Sequence, residues 1–166
     1  MFVYTNIIHT FAVTEREMRI EDEIHQKEFK DDYRRLLTNL LFTNNWLNQQ
    51  LMPFFKELGL TLQQHNVLAI LRGQHPDPVC FGDIQNRMVD RNSNVTRLID
   101  KLIEKGYVTR DICPSNRRMI EVRITEPGLR KLQQVDENFP KLFAKLNNLT
   151  REEAVLVSNL LDKLRG

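Results

Sequence analysis

Between Arg87 and Arg123 the chain carries nine Lys/Arg against five Asp/Glu, whereas residues 1–58 carry seven against nine. A basic stretch on a chain of net charge +2 suggests a surface that meets a polyanion. Its side chains suit that work in different ways. Arg97 can donate two parallel bonds to an acceptor pair such as guanine O6 and N7, and Asn94 can pair with adenine. Ser93 and Thr96 suit a phosphate or a thymine methyl. Arg87, Arg91 and Lys101 are placed for backbone phosphates, which supply affinity but carry no sequence information. Arg117 and Arg118 sit in a turn, from which Arg117 can reach the narrow, strongly negative minor groove of an A·T tract. Each could instead satisfy a surface ion pair, as Arg97 with Asp100 or Lys101 with Glu104 at helical neighbour spacing.

Catalytic patterns are missing. The sequence holds no HExxH, no GxSxG and no P-loop. His65, His75 and Cys80 match no standard zinc spacing. The expectation is that the chain is not an enzyme and carries no metal. Cys80 and Cys113 form no CxxC pair and suggest no disulfide framework. Cys113 lies beside the basic turn, where an inert thiol is the simpler reading than a redox switch.

The elements that must position these residues follow from spacing. Tyr33, Leu36, Leu37, Leu40, Leu41, Trp46, Leu47, Leu51, Phe54, Phe55 and Leu58 recur at helical intervals. Pro53 should kink or divide that helix, and Gly59 should end it. Thr61-Leu-Gln-Gln64 is a capping box opening a short helix to Gly73. His75-Pro-Asp-Pro78 predicts a loop, and residues 81–90 another short helix. From about Ser93 to Lys105 a helix places Val95, Leu98, Ile99, Leu102 and Ile103 on one stripe and Asn94, Arg97 and Lys101 opposite, with Gly106 as its stop. Strands are predicted over 107–111 and 119–124, joined by a turn at Pro114-Ser-Asn116. Thr125 should cap a long helix bent at Pro140. Thr150-Arg-Glu-Glu153 is a second capping box before a last helix.

A helix with a polar, basic outer face beside a basic hairpin is the outline of a winged helix-turn-helix. Charged residues at 28% and apolar ones at 41% fit a folded chain. No run approaches the ~20 apolar residues of a membrane span. The cytoplasm is the expected compartment, and no membrane contact is expected. The apolar residues within 1–17 follow no basic segment and precede no clear cleavage site, so they are read as an upstream extension before a start at Met18.

In this order of elements the chain resembles the MarR family of transcriptional regulators over roughly residues 33–165. The resemblance rests on Leu60-Thr61 with Gln64, and on Ser93, Val95, Thr96, Arg97, Leu98, Asp100, Leu102 and Gly106. It continues through Arg110, Asn116-Arg117-Arg118, Val122, Ile124-Thr125-Glu126 and Gly128. One departure is Asn116, where the family usually has Asp; a bracing ion pair becomes a weaker neutral bond. The resemblance implies a mainly α fold with a small β-hairpin wing: an N-terminal extension (1–19), a helical dimerisation lobe (20–58 and 126–166) and a winged DNA-binding domain (59–125). It implies a homodimer on a pseudo-palindromic operator in double-stranded DNA, acting as a repressor. It also implies release by a small aromatic effector, for which Trp46, Phe54 and His65 are the candidate lining. A winged helix used for protein contact without DNA is the alternative.

Overall fold

The computed structural model describes residues 18–112, 119–146 and 148–166. They fall into two compact units, one up to Leu47 and one from Asn48 onward. In the first, α1 (Ile20–Glu23) precedes the start of α2 (Asp32–Glu57). Glu21 joins them, its carboxylate accepting from Arg35 Nε at 2.5 Å. That bond first, then the residue's own backbone N–H, holds the Glu21 carboxyl down at about 2.

The second unit holds the remainder of α2, then α3 (Leu62–Arg72), β1 (Val79–Cys80), α4 (Phe81–Arg87) and α5 (Val95–Glu104). After these come β2 (Val108–Ile112), β3 (Ile120–Ile124), α6 (Glu126–Leu146) and α7 (Arg151–Arg165). The helix ends follow local chemistry. Gly59 and Gly106 both sit at φ +70°, the left-handed region that a side chain disfavours. After each, the chain doubles back, with Leu60 N donating to Phe55 O and Tyr107 N to Leu102 O. Thr61 and Thr150 each complete a capping box, as their sequence context predicts.

Three expectations need correction. Pro53 does not divide the first long helix, which runs on through it, as α6 runs on through the Pro140 at which only a bend is expected. Each proline removes a single backbone donor, and the apolar contacts of Phe55, Leu132 and Val135 hold both helices in place. The helix predicted over 81–90 ends at Arg87, because Met88 turns to extended geometry and buries its side chain. The wing is not a bare hairpin. Val79 pairs with Val122, and Cys80 with Glu121, to give a three-stranded antiparallel sheet in the order β1-β3-β2.

Residues from every helix of this unit except α7 meet in one core. Val67, Leu68 and Leu71 of α3 pack with Ile84, Val95, Ile99, Leu102, Val122, Leu132 and Val135. Phe55, wholly buried, anchors the end of α2 there. Burying side chains of this size contributes about 1.5–3 kcal/mol apiece. This core fixes α5 from beneath and leaves its outer face open. α7 has no buried residue at all.

Candidate nucleic-acid interface

The outer face of α5 follows directly from its periodicity. Val95, Ile99 and Leu102 are buried, which turns Thr96, Arg97 and Lys101 outward. The N-cap is Asn94, one residue later than the predicted start at about Ser93, and its Oδ1 accepts from Arg97 N at 3.0 Å. The Asn94 oxygen is therefore engaged within the chain, while its amide donors stay at an exposed helix N-terminus. Ser93 is held too, its hydroxyl donating to Asp90 Oδ2 at 3.1 Å.

Sequence reasoning missed the brace beneath this end. Asp90 Oδ1 accepts from Asn92 N at 3.0 Å. Gln85 Nε2 of α4 donates to Arg91 O at 2.6 Å. Asn66 Oδ1 of α3 accepts from Val89 N at 2.8 Å. An Asp followed at i+3 by Ser is a local turn signal that could have been read, but nothing local marks Gln85 or Asn66. Together they fix the turn between α4 and α5, and hence the first turn of the outer face.

The cations differ in what they do within the chain. Arg97, exposed at the first turn, makes no side-chain hydrogen bond or ion pair with any described residue, and neither does Arg91. Lys101 is paired with Glu104 at 2.8 Å. Asp100 does not pair with Arg97. It accepts from Arg110 Nη1 of β2 at 2.8 Å, which ties the helix to the sheet. Arg87 donates to Gln74 Oε1 at 3.3 Å, beside the loop after α3. Arg117 and Arg118 lie outside the described residues, as do Asn116 and Cys113. Their neighbours are placed: Ile112 stands opposite Ile120 at the outer end of the β2–β3 ladder.

The aromatic candidates separate. Trp46, in the first unit, is exposed. Phe54 and His65 belong to one ring cluster with Phe55 and Phe139; the Phe54–Phe139 and His65–Phe139 centroids are 5.5 and 5.9 Å apart. Phe54 also borders an open cleft of about 410 Å³ lined by Leu58, Asn138, Lys141 and Leu142, which His65 does not line. Burial, and then the Arg72 charge, push the His65 pKa below its usual value, against the weaker pull of Asp136.

Comparison with known proteins decides the family. The MarR family model matches residues 60–120, the stretch that holds the α5 face and its brace. YpoP of Bacillus subtilis, an HTH-type transcriptional regulator, is 32% identical over 107 residues, covering 63% of this chain and 74% of YpoP. The chain belongs to the MarR family. It is thus a MarR-family transcriptional regulator, of mainly helical fold with a small sheet. MdtR, an HTH-type transcriptional repressor of the same bacterium, is 28% identical over 119 residues, or 71% of this chain and 76% of MdtR. A mutant MarR from E. coli, solved with operator DNA, superposes with a TM-score of 0.69 at 25% identity, covering 82% of this chain and 99% of that one. Alignments with curated relatives span 65–76% of those proteins' lengths. Among the described residues no helix is long and apolar enough to cross a membrane, and no cluster of His, Cys, Asp or Glu could hold a metal ion.

Proposed function

We propose that this regulator binds double-stranded DNA in a sequence-specific way through the outer face of α5 and the basic wing. In this reading it is a homodimeric repressor of a pseudo-palindromic operator. The observation that carries the reading is the exposed first turn of α5 with Thr96 and Arg97, and Arg91 exposed in the turn just before it; neither arginine pairs through its side chain with any described residue. A helix N-terminus with free N–H groups and unpaired guanidinium donors complements phosphates and base edges. Arg97 reads guanine, Asn94 offers its amide to adenine, and Ser93 and Thr96 hold backbone or a thymine methyl. Arg87, Arg91 and Lys101 meet phosphates, and Arg117 and Arg118 serve from the wing. The operator complex of E. coli MarR and the repressor MdtR support it by kinship.

The dimer draws support from α7. Its Val155, Leu156, Leu160 and Leu164 are each about half exposed, and a helix open on its apolar side usually marks an interface. The lobe formed by residues 20–58 and 126–166 would supply that interface, and residues 59–125 the winged module. A small aromatic acid is the proposed effector. Phe54 and His65 offer rings of one cluster and Arg72, whose charge acts on His65, offers a cation, with Trp46 as a further candidate.

Selection of bound fragments from genomic DNA tests the core of this reading, and should return an inverted repeat with half-sites about one helical turn apart. On that operator Arg97→Ala should lose ~1–3 kcal/mol and relax one base position. Lys101→Ala should weaken all sequences alike and reduce the salt slope by about one. Enrichment of no motif would favour a protein-contact role instead.

A further inference from the structure

Gln64 is the only buried polar side chain among the described residues. Its Oε1 accepts twice, from Thr61 N at 3.1 Å and from Lys105 Nζ at 3.2 Å. The Lys105 ammonium also donates to Gly59 O at 2.6 Å. Gly59 ends α2 and Lys105 caps α5. One cation from the end of α5 therefore sits at the carbonyl end of α2, where partial negative charge collects, and on the side chain that closes the capping box of α3. It joins positions 46 and 41 residues apart in sequence.

The exit from α5 is fixed from a second side. Thr125 Oγ1 donates to Gly106 O at 2.7 Å, and Thr125 N donates to Tyr107 O at 3.0 Å. The far end of α5 is thereby attached to the end of α2 and the start of α6. The end proposed to meet DNA is held separately, by the Asp90 turn and its bonds from Gln85 and Asn66.

We propose that Lys105 is a positioning residue for DNA binding. By holding Gly59 and Gln64 it sets the direction in which α5 leaves the α2–α3 junction, and it makes that junction and α5 move together. The inference rests on the DNA-binding reading above. Lys105 is not placed as a phosphate contact: α5 has ten residues, so its ends lie about 15 Å apart, and two ammonium donors are already used inside the protein. A methionine keeps much of the apolar stem and loses the charge, whereas an arginine keeps a cation able to reach the same carbonyl.

The test uses full-length Lys105→Met and Lys105→Arg. Hydrogen exchange of the DNA-free protein should speed up about tenfold in Lys105→Met at residues 59–64 and 103–107 together, since the lost bonds are charge-assisted. Affinity for the selected operator should fall about fivefold, with an unchanged slope of log K against log salt. Lys105→Arg should recover most of both. Faster exchange on one side only, or unchanged operator affinity in Lys105→Met, overturns the inference. So does a salt slope reduced by about one, which would make Lys105 an ordinary phosphate contact. A wild-type chain that enriches no duplex overturns the DNA-binding reading and this inference with it. Wild-type binding beside an indifferent Lys105→Met variant overturns this inference alone.

Discussion

Gly128 lies in the first turn of α6, where helix propensity alone says that alanine should stabilise by ~1 kcal/mol. The structure reverses that sign. A Cβ at this position would stand 2.3 Å from Tyr107 O, 2.8 Å from Ile124 Cγ1 and 3.2 Å from Tyr107 C. A carbon–oxygen contact needs about 3.3 Å, so the Tyr107 carbonyl or the start of α6 must retreat by about 1 Å. That carbonyl also accepts from Thr125 N, and breaking the bond costs about 1 kcal/mol beyond the strain. Strain of about 1–3 kcal/mol from overpacking, plus the bond, less the propensity gain, leaves Gly128→Ala about 1–3 kcal/mol less stable. Gly82, inside α4, has nothing within 4 Å of its would-be Cβ. Gly82→Ala should therefore gain about 0.5–1 kcal/mol. Urea titrations at one fixed protein concentration, read as shifts in midpoint at constant slope, compare the two. A Gly128→Ala variant at least as stable as wild type would refute this account of where α6 meets the end of α5.

Three further outcomes can be checked. Thr61→Ala removes the acceptor for Gln64 N and should cost about 1 kcal/mol in the same titration. His65 is held below its usual pKa of 6.5, so the unfolded chain binds the proton more readily; stability should be full above pH 6.5 and decline as pH falls below it. His65→Gln should flatten that decline between pH 7 and 5.5, and an unaltered profile would show that burial and Arg72 do not control the ring. Asp90→Ala should leave folding intact yet lower operator affinity severalfold, because both of its oxygens hold the turn before α5.

The parts of this fold legible in the sequence were those decided within a few residues. Thr61 with Gln64, Thr150 with Glu153, and the glycine stops at 59 and 106 need only their own neighbours. The stripe Val95, Ile99, Leu102 fixed the outward side of α5 for the same reason. Contacts between distant residues were not legible. Val79–Cys80 is too short to announce a strand, and becomes one only because β3 lies beside it. Pro53 looked like a break because a local rule cannot weigh the burial of Phe55 two residues on. That Asn94 caps α5 while Ser93 bonds to Asp90 is a choice between neighbouring polar residues that spacing alone does not make. Lys105 reads as one more surface lysine until the fold carries Gly59 to it.

The link between Asp100 and Arg110 carries a consequence for how such a surface can evolve. An acidic group on a helix meant to approach an anionic backbone is tolerable while a guanidinium from the neighbouring strand neutralises it. Delete the arginine alone and an uncompensated negative charge is left to repel the incoming phosphates; delete the aspartate alone and a spare positive charge is gained at the expense of the helix-to-sheet link. Descendants of this chain should therefore change both positions or neither.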